Sequence, residues 1–174
     1  MTRVVNGIKP QDILILLKIF EWKDRPSWRS LDMARELGLS PFEISIGLER
    51  CRWSGFLDAS KRELMISALL EFILHGLKYV YPVQPGPLCR GIPTAHSAPP
   101  LAGKIVSDES DEYVWPDESG DRRGQAIIPL YKSAPQAAKK DHQLYELLAL
   151  IDAIRVGHSR ERALATQELK RRLL

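Results

Sequence analysis

The stretch SLDMARELGLSPFEISIGLERCRWSG, Ser30–Gly55, decides the fold. Ser30 reads as the N-cap of a short helix whose apolar positions are Leu31, Ala34 and Leu37. Gly38 stops that helix, because glycine enters the left-handed region without a Cβ penalty. Leu39 then turns back toward the core. Ser40 caps a second helix, with Pro41 at its first position and Glu43 at its third, the pattern of a capping box. Ile44, Leu48 and Cys51 fall on one face of that helix. Helix, glycine turn and helix with this apolar spacing make a helix-turn-helix.

On the N-terminal side, Pro10 opens a helix to about Trp22, with Ile13, Leu16, Leu17 and Phe20 as its apolar stripe. Residues 1–8 read as a loose arm, Lys23–Pro26 break the helix, and Ser27–Arg29 form a very short strand. On the C-terminal side, Phe56 and Leu57 read as a strand, Asp58–Lys61 as a turn and Arg62–Met65 as the returning strand, with Lys61 and Arg62 at the tip. A strongly apolar helix follows from Ser67 to about Tyr79. Over about residues 8–80 this order resembles the winged helix-turn-helix domains of MarR-like bacterial transcriptional regulators. The resemblance implies a protein that binds double-stranded DNA as a homodimer on pseudo-palindromic sites.

In such domains the second helix of the pair meets base edges in the major groove. With Ile44, Leu48 and Cys51 inward, the outward residues are Pro41, Phe42, Ser45, Ile46, Glu49, Arg50 and Arg52. Ser45 suits a base edge or a phosphate, and Arg50 and Arg52 suit phosphates or a guanine. Ile46 and Glu49 stand where the family often carries basic residues. Lys61 and Arg62 in the wing, with Arg29 and Arg35, are further phosphate contacts. The candidate DNA-binding set is therefore Arg29, Pro41, Phe42, Ser45, Ile46, Glu49, Arg50, Arg52, Lys61 and Arg62. Trp28 and Trp53 read as core or seam residues, since a duplex offers no unstacked base to hold.

Beyond residue 80 the composition changes. Six prolines between Tyr81 and Pro100 exclude regular helix, and Tyr81, Val83, Leu88 and Ile92 favour an extended strip packed on the domain. An acidic stretch runs from Asp108 to Glu112. Tyr113–Trp115 and Gln125–Ile128 flank DESGDRRG and read as a β-hairpin with a mobile tip. Ser133 and Pro135 start a short helical turn. Asp141 caps a helix over His142–Val156, Gly157 ends it, and Ser159 caps a last helix with apolar Ala163, Leu164, Leu169 and Leu173. The expected fold is thus mainly α with small β: a winged helix-turn-helix domain at 8–80 and an α+β extension at 81–174 ending in a helical hairpin. That hairpin suits closing a core or building a dimer interface, and Arg155, Arg160 and Arg162 at its turn read as solvated, helix-capping charges.

The bulk properties set limits. The 174 residues are 44% hydrophobic and 27% charged, enough to bury a core, and the formal net charge is only +3. No basic tail of the kind that grips nucleic acid unaided is present. No apolar run approaches the roughly 20 residues that span a bilayer, and no signal-peptide core precedes Pro10. Cys51 and Cys89 are the only cysteines, which argues against a disulfide framework and for a reduced, cytoplasmic protein. No metal site is expected, since neither a CxxC nor an HxxxH pair occurs, and His75 reads as a core histidine. Cys89, Thr94, His96 and Ser97 invite an enzyme reading, but nucleophile elbow, phosphate loop and paired carboxylates are missing. Neither catalysis nor a cofactor is therefore expected, and the strip reads as structural. The alternative function is a protein-interaction module, antitoxin-like or an adaptor, whose residues 81–174 clamp a partner.

Overall fold

The computed structural model describes residues 7–105 and 111–174. Most of the acidic stretch Asp108–Glu112 and most of the N-terminal arm lie outside them. The helices are α1 (Pro10–Glu21), α2 (Ser30–Leu37), α3 (Pro41–Trp53), α4 (Ile66–His75), α5 (Leu77–Val80), α6 (Ala134–Lys140), α7 (His142–Val156) and α8 (Ser159–Leu173). The strands are β1 (Leu88–Pro93), β2 (Tyr113–Pro116) and β3 (Arg122–Ala126), with a 3-10 turn at Ala95–Ser97. The described residues are thus mainly helical with a small three-stranded sheet. No helix among the described residues is long and apolar enough to cross a membrane.

The core is built around α1. Its residues Asp12 through Ile19 are all buried, not only the expected stripe, because α2 and α3 cover one side and α7 the other. A helix enclosed on all sides needs apolar residues all round. The two polar residues caught in that burial are each ion-paired, Asp12 with Arg50 and Lys18 with Asp141, and Lys18 also donates to Glu21 at 3.2 Å. The apolar core runs without a break from Ile13 through Leu77 to Leu173, so residues 8–80 and 81–174 share it.

Several helix ends follow local chemistry. Asp141 caps α7, accepting from the backbone N–H of Gln143 at 3.0 Å and Leu144 at 3.2 Å. Two expected caps are corrected by one residue. Arg29 and His158 are the N-caps of α2 and α8, Ser30 and Ser159 sit inside the first turn, and neither N-cap makes a side-chain capping bond. In α8 it is Ala165, not Ala163, that is buried with Leu169 and Leu173. The apolar helix after the wing breaks at Gly76 into α4 and α5. His75 is exposed at its end, not a core residue. Arg155 is also corrected: its guanidinium is buried, donating to the Tyr81 carbonyl at 3.0 Å and pairing with Asp152 at 2.8 Å.

The expected hairpin does not form. β1 takes both later strands antiparallel, Gly91 opposite Pro116 in β2 and Arg90 opposite Arg123 in β3. β2 and β3 then meet in parallel, Tyr113 opposite Gln125, which closes the three strands on themselves. Closure this tight needs absent side chains. A Cβ on Gly91 would lie 2.0 Å from the Trp115 carbonyl oxygen, and one on Gly120 would lie 2.2 Å from the Gly91 backbone. The DESGDRRG segment is tied down: Asp117 accepts from Ser119 N–H at 2.8 Å and pairs with Lys139 at 2.7 Å. The sheet is fastened to α7 by Asp152, which accepts from Thr94 Oγ1 at 2.7 Å and Trp115 Nε1 at 2.6 Å. Burial pushes the Asp152 carboxyl up, and Arg155, Thr94 and Trp115 act against that shift.

Candidate nucleic-acid interface

Local chemistry builds the turn and the α3 start as the sequence implies, while in α2 the expected apolar position Leu31 is 43% exposed and Met33 is buried in its place. Gly38 sits in the left-handed region at φ 65° and ψ 35°, and the Leu39 N–H closes onto the Ala34 carbonyl at 3.0 Å. Ser40 Oγ accepts from Glu43 N–H at 3.1 Å, while the Glu43 carboxylate accepts from Ser40 N–H at 2.8 Å. Ile44, Leu48 and Cys51 are buried. Burial drives the Cys51 thiol far above its ordinary pKa, so it is a packing residue. Gly47 marks the crossing with α1: a Cβ there would lie 2.5 Å from Ile15 Cδ1 and 2.9 Å from Asp12 Oδ1.

That crossing overturns the placement of Arg50. Its guanidinium points inward, donating from Nε to Asp12 Oδ2 at 2.7 Å and from Nη2 to Asp12 Oδ1 at 2.5 Å. Both side chains are buried. Arg50 is therefore a strut between α1 and α3 and is withdrawn from the outward face. A buried carboxylate holds a bidentate guanidinium far more firmly than a solvated phosphate offers.

The outward face of α3 carries Pro41, Phe42 and Ser45, all exposed, Ile46, Glu49 and Arg52, half-buried, and Trp53, exposed. Phe42 is 69% and Trp53 63% exposed, so Trp53 is neither core nor seam. Eleven residues apart, the two aromatic rings stand on one face at opposite ends of the helix. Between them Glu49 pairs with Arg52 on its own helix and with Lys61 at 2.5 Å. Those two cations hold the Glu49 carboxyl down to about 2.

The expected wing is reduced to a turn. Its strands form a single bridge, Leu57 to Leu64, and the expected strand at Ser27–Arg29 is absent. Asp58 organises the turn by accepting from the backbone N–H of Ser60 at 3.0 Å, Arg62 at 3.0 Å and Glu63 at 2.9 Å. Lys61 takes a positive φ of 63° at the tip. Arg62 donates to the Trp28 carbonyl at 2.7 Å and stacks 3.8 Å over the buried Trp28 ring. Arg29 pairs with Asp32 at 3.1 Å on the exposed start of α2. Every basic residue of the candidate set thus has an intramolecular partner, and Glu49, Arg52 and Lys61 form one cluster.

The residues of the Pro-rich strip are used as fasteners. Thr94 bonds to Asp152, Ser97 Oγ accepts from Tyr113 N–H at 2.8 Å, and His96 Nε2 lies 2.9 Å from the Asp111 carbonyl. Among the described residues no group of three or more His, Cys, Asp and Glu side chains is placed to hold a metal ion. What sequence reading missed is the set around WKDRPSW: Trp22, Lys23, Arg25 and Trp28, with Arg62, line a concave space beside the wing turn. Two tryptophans bracketing Lys and Arg in a helix-breaking loop were the available signal. Comparison of the chain with protein-family models, curated proteins and solved structures finds no match.

Proposed function

We propose that the protein binds duplex DNA through a winged helix-turn-helix formed by α1–α4 and the Asp58–Glu63 turn, as a transcriptional regulator. The observation that carries this reading is the juxtaposition of an outward α3 face with the wing tip, joined through Glu49 and Lys61. α3 offers Ser45 and Glu49 to base edges, Glu49 as an acceptor for a cytosine amino group. Arg29, Arg35, Arg52, Lys61 and Arg62 supply the phosphate contacts, and Arg50 supplies none. Because Glu49 already neutralises two of these cations, contact with phosphate must compete with an internal ion pair, and affinity is modest. A homodimer belongs to this reading, since two units then address half-sites one turn apart. So does a cytoplasmic setting, which fits two free cysteines.

The test is fluorescence anisotropy on random-sequence duplex at two salt concentrations, with light scattering for the oligomeric state. Affinity falls steeply with salt, and Arg52→Ala or Arg62→Ala lowers the slope by about one. Absence of binding even at low salt refutes the reading. One observation favours a second function, a protein-interaction module: Phe42 and Trp53 present two large rings to solvent on the same α3 face. In that case Phe42→Ser and Trp53→Ser abolish capture of a partner chain while DNA binding is nil.

A further inference from the structure

We propose that the space between the end of α1, the loop at residues 22–29 and the wing turn binds a phosphate monoester on a planar body, the chemistry of a mononucleotide. The space measures about 720 Å³, within the roughly 300–1,000 Å³ of small-molecule sites. Two buried indoles, Trp22 and Trp28, line it with centroids 6.2 Å apart and planes inclined at 51°. Both rings are covered by guanidinium groups, so a planar body fits against the outer faces of Arg25 and Arg62 and the neighbouring Leu64.

The rim is cationic and held in place before any ligand arrives. Arg25 stands 4.3 Å over the Trp22 ring, Arg62 3.8 Å over Trp28 and Lys23 4.8 Å over Phe20. The Arg62 bond to the Trp28 carbonyl fixes its direction as well. Stacked cations lose little freedom on binding an anion. Lys23 and Arg25 enter no ion pair among the described residues, unlike Arg52 on α3 and Lys61 in the wing turn. Glu63 is the one acid lining the space. Three cations against one carboxylate match the charge of about −1.5 to −2 on a phosphate monoester, not the single charge of a carboxylate. Guanidinium forks also favour phosphate geometry.

Arg62 is shared with the proposed DNA contacts, so the test rests on Lys23 and Arg25, which are not, and its failure is distinct from failure of the regulator reading. The full chain is titrated by calorimetry with adenosine monophosphate, adenosine, inorganic phosphate and benzoate. Adenosine monophosphate binds, and each of the other three binds at least about tenfold more weakly. Arg25→Gln and Lys23→Gln each weaken the nucleotide by about tenfold while the urea midpoint stays unchanged, since both side chains are exposed. Three outcomes overturn the proposal. They are no heat with the nucleotide, adenosine or benzoate binding as tightly as the nucleotide, or both variants binding like the parent chain.

Discussion

Replacing Arg50 by methionine tests the central packing argument. The Asp12 carboxylate is 0% exposed and accepts three bonds: Lys9 N–H at 2.8 Å, Arg50 Nε at 2.7 Å and Arg50 Nη2 at 2.5 Å. Arg50→Met removes two of the three and leaves a buried charge with one donor. Removing one partner of a buried pair costs about 3–5 kcal/mol. Domains of this size are stable by about 5–15 kcal/mol, so roughly a fifth of the stability goes at the least and nearly all of it at the most. Urea unfolding followed by circular dichroism should show a lower midpoint at unchanged slope. Adding Asp12→Leu removes the orphaned carboxylate, so the double variant should recover about 1–3 kcal/mol over Arg50→Met alone. Arg50→Lys rescues only partly, because an ammonium cannot match both carboxylate oxygens. The reasoning is refuted if Arg50→Met unfolds within about 1 kcal/mol of the parent chain. It is equally refuted if the substitution abolishes DNA binding with stability intact, which would return Arg50 to the outward face.

Three further outcomes follow from the same geometry. Glu49→Gln frees Arg52 and Lys61, so under the DNA-binding proposal affinity for duplex rises and the salt slope steepens by up to about two, read by anisotropy at two salt concentrations. Burial pushes the Glu21 carboxyl from 4.5 up to about 8, against the pull of Lys18. The folded state then keeps a proton the unfolded chain releases, so stability falls as pH rises from 4.5 to 8, by at most about 1.4 kcal/mol per pH unit. Glu21→Gln should flatten that limb of the stability profile, and an unchanged limb sinks the assignment. Below it, the lowered carboxyls of Glu49, Asp117 and Glu168 act with the opposite sign, losing stability as pH falls toward 2. Gly91→Ala places a methyl against the Trp115 carbonyl, so the closed sheet opens and the Trp115 bond to Asp152 is lost. Near-ultraviolet dichroism and a lowered urea midpoint report it.

The α2–α3 pair was legible because its signals are local. Gly38, Ser40, Pro41 and Glu43 act within one turn of themselves, and Ile44, Leu48 and Cys51 need only the helical repeat to share a face. Asp141 at the start of α7 is of the same kind. Arg50 was not legible. It sits three residues after Gly47, where the missing side chain lets α1 come close enough to bring Asp12 into reach. Nothing within α3 announces a carboxylate 38 positions upstream. The sheet misled for the same reason. Tyr113–Trp115 and Gln125–Ile128 look like two arms of one hairpin, yet each finds its antiparallel partner in β1.

By itself, then, the sequence determined the Ser40 and Asp141 caps, the glycine turn and the apolar inward residues of α3, since these rest on backbone conformation and helical period. Tertiary structure alone decided which charges are spent. Whether an arginine meets solvent or a buried carboxylate depends on which helix crosses it, and the crossing is fixed by packing across the whole chain. It withdrew Arg50 into the core and tied Lys61 to Glu49. It left Lys23 and Arg25 standing on aromatic rings at the rim of a cavity that the distant Arg62 and Leu64 complete.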